Sequence, residues 1–281
     1  MLIDAIMLRA IVESALEEDV GPGDITSSLT VPENALSRAA IAAREPGVIA
    51  GMDVADMVFA AVDPIVRFER EVRDGDRAAA GQRLAGVEGR SRSLLAAERV
   101  ALNFLQRLSG IATTTARFID LVAGTRARIA DTRKTTPGLR MLEKYAVRVG
   151  GGQNHRFGLH DGILIKDNHI VAAGGIRPAV EAAKKGAPHT LKVEVEVSTL
   201  DELQEAMDAS ADAVMLDNME VETMRRAVEI AGGSVTLEAS GGINEDTVAA
   251  VAATGVDVIS VGALTHSVRA LDIGMDFESA I

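Results

Sequence analysis

Residues 131–169 read DTRKTTPGLRMLEKYAVRVGGGQNHRFGLHDGILIKDNH, and this stretch decides how the rest of the chain is interpreted. The whole chain has a formal net charge of −12, yet this stretch carries more Arg and Lys than Asp and Glu. It contains several glycines, and near its end lies the apolar run GILI, which is typical of a short buried strand. A positive segment in an acidic protein indicates a pocket for a small polyanion. Its basic residues are Arg133, Lys134, Arg140, Lys144, Arg148, Arg156 and Lys166.

Composition excludes several classes of protein. An isoelectric point near 4.9 and an aromatic content of 2% argue against a nucleic-acid partner, because phosphate backbones attract basic surfaces and unpaired bases stack on aromatic rings. The absence of Cys excludes disulfides, thiolate zinc sites and cysteine nucleophiles. The N-terminus resembles no signal peptide, and no uncharged apolar run approaches the ~20 residues that span a bilayer. We therefore expect a cytoplasmic protein with no membrane partner.

The first third of the chain combines helices at 4–19 and near 53–62 with short strands and Asp/Gly turns. This mixture is typical of an α+β unit with an antiparallel sheet. Two helices, 91–108 and 111–123, are predicted to follow it. Residues 270–281 show no strand pattern that we recognise, and we expect them to return to the first domain.

From residue 127 onward, strands alternate with helices over short connections. This rhythm predicts an α/β fold with a parallel sheet, built as a (β/α) barrel that is complete or slightly open. The predicted strands are 127–131, 162–166, 191–197, 213–217, 234–239 and 256–261. The predicted helices lie near 138–149, 175–186, 199–209, 219–231 and 244–254, with Asn244 as N-cap of the last.

Polar or glycine residues follow each predicted barrel strand. Barrel enzymes build their active sites at this rim, because the carboxyl ends of the strands converge there. The series as a whole therefore predicts a site. The segments concerned are Thr132-Arg133-Lys134, Lys166-Asp167-Asn168, Glu196, Asp217-Asn218, Ser240-Gly241-Gly242 and Gly262.

The strand LKVEVEV places charged side chains inside the barrel, since side chains alternate along a strand and its valines face the helices. For Lys192 and Glu194, an internal ion-pair network and a functional role are both open. Glu196 lies nearest the rim and is the stronger functional candidate. With Asp217 it can form an oxygen site for Mg²⁺ or accept hydrogen bonds from sugar hydroxyls.

The remaining polar residues predict anion binding. Ser240-Gly241-Gly242 and Gly262 lie where barrels bind phosphate in the loops after their last two strands. Carboxylates are expected to bind Arg133, Arg156 and Lys166, and a phosphate is expected to bind Lys134. Lys144 and Arg148, one helical turn apart, are expected to form a solvated face, and Arg140 is undecided.

The histidines lack the spacing of a zinc site. His155, beside Arg156, is expected to contact a ligand, whereas His160 and His169 are expected to cap loops. His189 and His266 carry no signal that we can interpret.

The stretch 131–169 closely resembles the signature of the quinolinate phosphoribosyltransferase family, and further motifs match that family in order. They are EDVGPGDITS, GVIAG, ERVALNFLQRLSGIAT, VEVEV, VMLDNM, LEASGGI and GVDVISVGAL. The resemblance implies an N-terminal α/β sandwich over residues 1–109 and an open, TIM-like (β/α) barrel over 110–267, with 268–281 returning to the sandwich. It also implies a homodimer or larger even-numbered oligomer with shared active sites.

The implied reaction joins quinolinate to 5-phosphoribosyl 1-diphosphate (PRPP) and releases diphosphate and CO₂, giving nicotinate mononucleotide for NAD synthesis. By motif position, the quinolinate carboxylates are implied to bind Arg133, His155, Arg156 and Lys166, with Arg99 reaching into the partner subunit's site. Lys134 is implied to serve PRPP or quinolinate. Glu196 and Asp217 are implied to lie by the ribose and Mg²⁺, and with Lys134 they form the implied catalytic set. The residues implied to bind the 5-phosphate are Ser240, Gly241, Gly242, Gly262 and Ala263.

Three alternatives remain at this stage. One is a related transferase with the same barrel and a different aromatic acid. Another is an aldolase that forms a Schiff base on Lys166. The third is a phosphate-binding barrel without catalytic activity.

Overall fold

The computed structural model describes residues 4–280, which form two compact units. Unit 1 comprises the chain up to Ala116, the segment Thr136–Gly151 and the chain from Ser267 onward. Unit 2 comprises Arg117–Thr135 and Gly152–His266. The boundary that we place between residues 109 and 110 stays a prediction. Among the described residues, we find no helix with the length and apolar composition needed to cross a membrane.

The helices are α1 (Ala5–Asp19), α2 (Ile25–Thr30), α3 (Met52–Val62), α4 (Ser91–Leu121), α5 (Arg140–Val149), α6 (Asp167–Ala173), α7 (Ile176–Gly186), α8 (Leu200–Asp208), α9 (Val221–Ala231), α10 (Val248–Ala252) and α11 (Ala263–His266). The strands are β1 (Leu36–Ala43), β2 (Gly47–Val48), β3 (Arg67–Arg70), β4 (Arg77–Ala78), β5 (Arg83–Arg90), β6 (Arg128–Ala130), β7 (Ile163–Ile165), β8 (Val193–Val197), β9 (Ala213–Asp217), β10 (Thr236–Ser240), β11 (Val258–Ser260) and β12 (Ile273–Ala280).

Unit 1 is organised around an antiparallel sheet with strand order β12-β1-β5-β3. The expectation that residues 270–281 lack a strand is wrong, because β12 pairs with β1 along most of its length. Ile273, Met275 and Phe277 alternate with Gly274 and Asp276, which is a period-two pattern that indicates a strand. This short pattern is only a weak sequence signal for a strand, because much of the stability of β12 comes from its pairing with β1.

Helix α4 is continuous over 31 residues, so the prediction of two helices separated near Gly110 is wrong. Gly110 does not interrupt the helix; it allows another segment of the chain to pack closely against it. A side-chain carbon at position 110 would overlap the backbone carbonyl oxygen of Arg269, and it would also approach Val268 at 3.1 Å. A glycine inside a helix therefore marks a place where another backbone approaches closely.

We expect Gly110→Ala to destabilise the protein by about 1–3 kcal/mol, because the added methyl group must displace a backbone carbonyl. The intrinsic preference of helices for Ala, about 1 kcal/mol, offsets part of this cost. Urea unfolding measures the change. Gly186→Ala is the matched control, because a side-chain carbon there would have no atom within 4 Å and the residue sits at the end of α7. Equal stability of the two variants would contradict the packing argument.

Helix α5 buries charged residues, which corrects one expectation. Lys144 and Glu143 are both 0% exposed, so the predicted solvated face is wrong for Lys144, whereas Arg148 is exposed as predicted. Glu143 accepts a hydrogen bond from Arg107 Nε at 2.8 Å and another from the backbone N–H of Thr136 at 3.1 Å. The charge of this carboxylate is thus compensated inside unit 1.

Unit 2 contains a parallel sheet with strand order β6-β11-β10-β9-β8-β7. Helices follow β7, β8, β9 and β10, and β6 and β7 form the two edges of the sheet, so the predicted (β/α) barrel is confirmed in its open form. The valines of β8 are buried and its two glutamates are partly exposed, as period-two alternation requires. The last helix of the prediction is shorter than expected. It begins at Val248 with Thr247 as N-cap, so the prediction of Asn244 as N-cap is wrong. The Asn244 side chain instead accepts hydrogen bonds from the backbone N–H groups of Asp246 and Thr247 in the preceding turn.

Candidate active site

Unit 2 contains a cavity of about 680 Å³ at the carboxyl end of its sheet. Lys166 follows β7 directly, while Asp217, Ser240 and Ser260 are the last residues of β9, β10 and β11. Because parallel strands end at one edge, these side chains converge without any further constraint. The predicted site residues that line the cavity are Arg133, Lys134, His155, Arg156, Lys166, Glu196, Asp217, Ser240, Gly241, Gly242, Gly262 and Ala263.

The basic residues of the stretch 131–169 do not all lie at the cavity. Arg140, Lys144 and Arg148 lie on α5 in unit 1, and none of them lines this cavity. Arg99, an exposed residue of α4, also lies outside it, so its role stays a prediction. Among the residues that the structure describes, the arginines and lysines lining the cavity are therefore Arg133, Lys134, Arg156 and Lys166.

A buried carboxylate fixes the basic wall of the cavity. Asp131 is 0% exposed. Its carboxylate accepts hydrogen bonds from the backbone N–H of His155 at 2.9 Å and from Asn154 Nδ2 at 2.6 Å. The Arg156 guanidinium in turn donates to the backbone carbonyl of Gly162 at 3.2 Å. The Asp131 contacts hold the segment of Asn154 and His155 against the end of β6, and the Arg156 contact joins this segment to the residue before β7.

Two guanidinium groups lie close together in this wall. Burial lowers the pKa of Arg156 from its ordinary value, and the positive charge of Arg133 lowers it further. Glu194 and Asp161 offset part of this repulsion, and a further anion bound by the two guanidinium groups would offset more of it. The wall is therefore prepared for a carboxylate, which two arginines can bind through paired hydrogen bonds.

Acidic groups face this wall from the neighbouring strands. Glu196 Oε2 accepts from Lys166 Nζ at 2.7 Å, and Asp217 Oδ2 accepts from Asn218 Nδ2 at 2.8 Å. Both carboxylates line the cavity and both retain oxygen lone pairs for a further partner. Their oxygens suit Mg²⁺, which takes one or two protein carboxylates and completes its octahedron with water and substrate phosphate.

Glycines shape the opposite end of the cavity. Gly241 and Gly242 have φ of +98° and +62°, a region that other residues rarely adopt. A side-chain carbon at Gly241 would overlap the amide of Asn218, and one at Gly262 would lie 3.1 Å from Lys134 Cδ. Gly241 and Gly262 therefore allow Asn218 and Lys134 to pack close to the backbone, whereas Gly242 has no atom within 4 Å of a side-chain position and leaves its backbone open to a ligand.

Sequence reasoning named Asn218 only as part of a strand-end segment, without a role of its own, and it missed His266. Asn218 adopts a left-handed φ of +52°, and its backbone N–H donates to the Ser240 carbonyl at 2.9 Å, so it connects the ends of β9 and β10. Its position beside Asp217 in the series of strand ends was the available signal. His266 lines the cavity beside Gly262, and no pattern in the sequence indicated it.

The charges inside the barrel differ from an internal Lys192–Glu194 network, which is one of the two interpretations that the sequence left open. Lys192 lies before β8 and is exposed, so it takes no part in an internal ion pair with the glutamates. Glu194 instead lies 3.3 Å from His155 Nε2, and Glu238 from β10 lies 3.5 Å from the same atom. His169 caps α6 as expected, because its Nδ1 accepts from the backbone N–H of Lys166 at 2.9 Å.

Comparison with known proteins places this geometry in a family. The family model of the quinolinate phosphoribosyl transferase N-terminal domain matches residues 24–109, and that of the C-terminal domain matches residues 111–276. The chain belongs to the quinolinate phosphoribosyltransferase family. A carboxylating nicotinate-nucleotide pyrophosphorylase from Mycobacterium leprae is 48% identical over 95% of this chain and 96% of the relative. A probable carboxylating nicotinate-nucleotide pyrophosphorylase from Bacillus subtilis is 45% identical over 96% of this chain and 93% of the relative.

Solved structures of the family have the same fold. The nicotinate-nucleotide pyrophosphorylase from Francisella tularensis superposes with a TM-score of 0.95 at 43% identity, covering 99% of this chain and 98% of that one. The predicted family and its two-domain fold are thereby confirmed. The roles of the individual cavity residues stay predictions.

Proposed function

We propose that this chain transfers the phosphoribosyl group of PRPP to the ring nitrogen of quinolinate and releases diphosphate and CO₂, as its family membership indicates. The product is nicotinate mononucleotide, an intermediate of NAD synthesis. One observation carries the assignment of the site: a single cavity joins a wall of arginines and lysines, two carboxylates and a glycine-lined phosphate pocket. These three parts match the three parts of the reacting pair, a dicarboxylate, an activated ribose and a phosphate.

Substrate binding follows from the charges of the cavity. Arg133, Arg156 and Lys166 bind the carboxylates of quinolinate, with His155 alongside them. The 5-phosphate of PRPP lies on the backbone N–H groups of Ser240-Gly241-Gly242 and of Gly262-Ala263, with Lys134 beside it. The carboxylates of Glu196 and Asp217 face the ribose and would hold Mg²⁺, which would supply positive charge opposite the leaving diphosphate.

Bond cleavage at the ribose leaves positive charge on its anomeric carbon, and fixed carboxylates stabilise that charge. The position of Glu196 on β8 and of Asp217 on the adjacent strand β9, both lining the cavity, supports this role. Once the ring nitrogen carries the ribose, it becomes cationic and accepts the electron pair left when the adjacent carboxylate departs as CO₂. A proton then replaces CO₂ on the ring carbon, so no covalent bond to the enzyme is required.

The ion pair of Lys166 disfavours the Schiff-base alternative. Its ammonium group pairs with Glu196 at 2.7 Å, whereas a nucleophilic lysine needs apolar surroundings or a cationic neighbour that frees its amine.

Two finer parts of the proposal concern assembly and location. We propose a homodimer or larger even-numbered oligomer in which Arg99 reaches the partner subunit's site, and a cytoplasmic location. The family resemblance of the ERVALN segment of α4 supports the shared site. Sedimentation velocity tests the assembly. Activity recovered by mixing R99A subunits with subunits inactivated at Glu196 tests the sharing.

We expect equimolar release of CO₂ and diphosphate when the protein, Mg²⁺, PRPP and quinolinate are combined. Nicotinate in place of quinolinate is expected to release no CO₂, because it lacks the carboxylate that leaves, and little diphosphate, because it offers the basic wall only one carboxylate to bind. Carboxyl-labelled quinolinate and an enzymatic diphosphate assay measure the two releases. Diphosphate release with nicotinate and no CO₂ would instead assign the chain to a related transferase.

A further inference from the structure

Glu238 is a buried carboxyl group that the reaction described above leaves without a role. It lies in β10 inside unit 2 and is 5% exposed. Its Oε1 atom is buried and accepts no hydrogen bond from any described residue. A carboxylate in such a place lacks compensation for its charge, whereas a neutral carboxyl group does not need it. Burial raises the pKa of Glu238 to about 7, and the charge of Glu194 contributes to the same shift.

His155 defines how the protons are arranged around Glu238. The backbone N–H of Arg156 donates to His155 Nδ1 at 2.7 Å, so Nδ1 is an acceptor and carries no proton. The ring proton of His155 is therefore on Nε2. That nitrogen faces Glu194 Oε2 at 3.3 Å and Glu238 Oε1 at 3.5 Å. One N–H group is thus directed at two carboxyl groups.

The same three side chains bring their ligand atoms within 4.8 Å of one another, which raises the possibility of a metal site. The tautomer of His155 argues against it. A neutral histidine that binds a metal through Nε2 carries its proton on Nδ1 and donates it to a neighbouring acceptor. Here Nδ1 faces an N–H donor, so the arrangement suits a shared proton better than a metal ion.

Among the described residues that shift the pKa of Glu238, none is an arginine or a lysine. Burial raises the pKa of Glu238 most and Glu194 from β8 raises it further, whereas His155 and Ser260 from β11 lower it by a smaller amount. The residue in register with Glu238 on β9 is the uncharged Met215. Two carboxylates against one neutral imidazole N–H repel each other, and the more buried of the two keeps a proton. That group is Glu238, since Glu194 is also close to the charge of Arg156.

We propose that Glu238 takes up a proton when quinolinate binds. Glu238, in this neutral form and together with Glu194, is a positioning residue that keeps His155 and Arg156 in place at the cavity wall. A dianion entering beside Arg156 adds negative potential near Glu238 and so favours its protonated form. The inference rests on the proposed function, because quinolinate is the dianion. Without the proton, the two charged glutamates would oppose the substrate that the wall binds.

Calorimetric titration of quinolinate at pH 7.5, in buffers of different ionisation enthalpy, measures protons taken up on binding. We expect wild type to take up roughly half a proton per site or more, because Glu238 is partly ionised there before binding. E238Q, which copies the neutral carboxyl group, is expected to bind quinolinate within about threefold of wild type and to take up no proton from this position. Glu222→Gln, on the exposed face of α9, is the matched control and is expected to behave as wild type. Equal proton uptake by wild type and E238Q would overturn the proposal.

Melting curves without ligand test the protonation of Glu238 independently of the proposed function. Its pKa is about 7 in the folded protein against an ordinary value of 4.5, so the unfolded chain loses this proton first as the pH rises. Wild type should therefore lose stability relative to E238Q between about pH 4.5 and 7 and keep a constant difference above pH 7. A pH-independent difference would refute the protonated state even in a protein that binds quinolinate. If E238Q does not fold, the proposal is tested on wild type alone. Its proton uptake on quinolinate binding must decline from pH 7.5 to 5.5, because Glu238 is already protonated at the lower pH.

Discussion

Arg133→Ala is expected to weaken quinolinate binding by about 2–4 kcal/mol, roughly a hundredfold, while PRPP binding changes little. The side chain lines the cavity next to Arg156, whose pKa its charge lowers. Removing one guanidinium takes away paired hydrogen bonds to a carboxylate. It also relieves the repulsion on Arg156, so the loss is smaller than that of an isolated arginine.

Separate titrations of quinolinate and PRPP by calorimetry measure this selectivity. Arg225→Ala is the matched control, because Arg225 is an exposed residue of α9 in the same unit and pairs only with Glu222 among the contacts of the described residues. An equal loss of affinity for both ligands would show that Arg133 maintains the cavity as a whole. In that case the assignment of the basic wall to the dicarboxylate would be wrong.

Asp217→Asn is expected to lower kcat by about 10²–10³-fold and to raise the Mg²⁺ concentration needed for half-maximal rate. The substitution preserves shape and removes one charge from the face that opposes the ribose. It also places an amide where Asn218 Nδ2 now donates to Asp217 Oδ2. Steady-state rates at a series of Mg²⁺ concentrations measure both effects.

The outcome for Asp217 separates two roles. A loss in kcat that excess Mg²⁺ does not restore indicates stabilisation of charge on the ribose, whereas full recovery at high Mg²⁺ indicates metal binding alone. Asp201→Asn, in the first turn of α8 on the surface of the same unit, serves as control. Unchanged kcat and unchanged Mg²⁺ dependence in Asp217→Asn would contradict both roles.

Much of the site was predictable because strand ends are readable in sequence. The apolar runs of β7 to β11 are separated by helices of ordinary length, and their terminal polar residues are adjacent by topology alone. The fold therefore follows from periodicity, and the position of Asp217 or Ser240 follows from the fold. No tertiary detail is needed for either.

What sequence could not provide depends on contacts between distant segments. Lys144 appears solvated on a helical wheel, and only packing of α5 on more than one side buries it. Gly110 resembles a helix break until the carbonyl of Arg269, far away in sequence, is placed against it. The pairing of His155 with Glu238 likewise joins a loop to a strand more than 80 residues later, which period-two alternation cannot specify.

The last strand has a consequence for how the protein is made. Ala42 of β1 pairs with Gly274 of β12. Strand β1 therefore lacks this partner until a segment is made that follows all of unit 2 in the chain. During that interval β1 presents unpaired backbone groups along one side, a surface that invites pairing with a neighbouring nascent chain. The sheet of unit 1 is therefore completed only after the residues of unit 2 have been made.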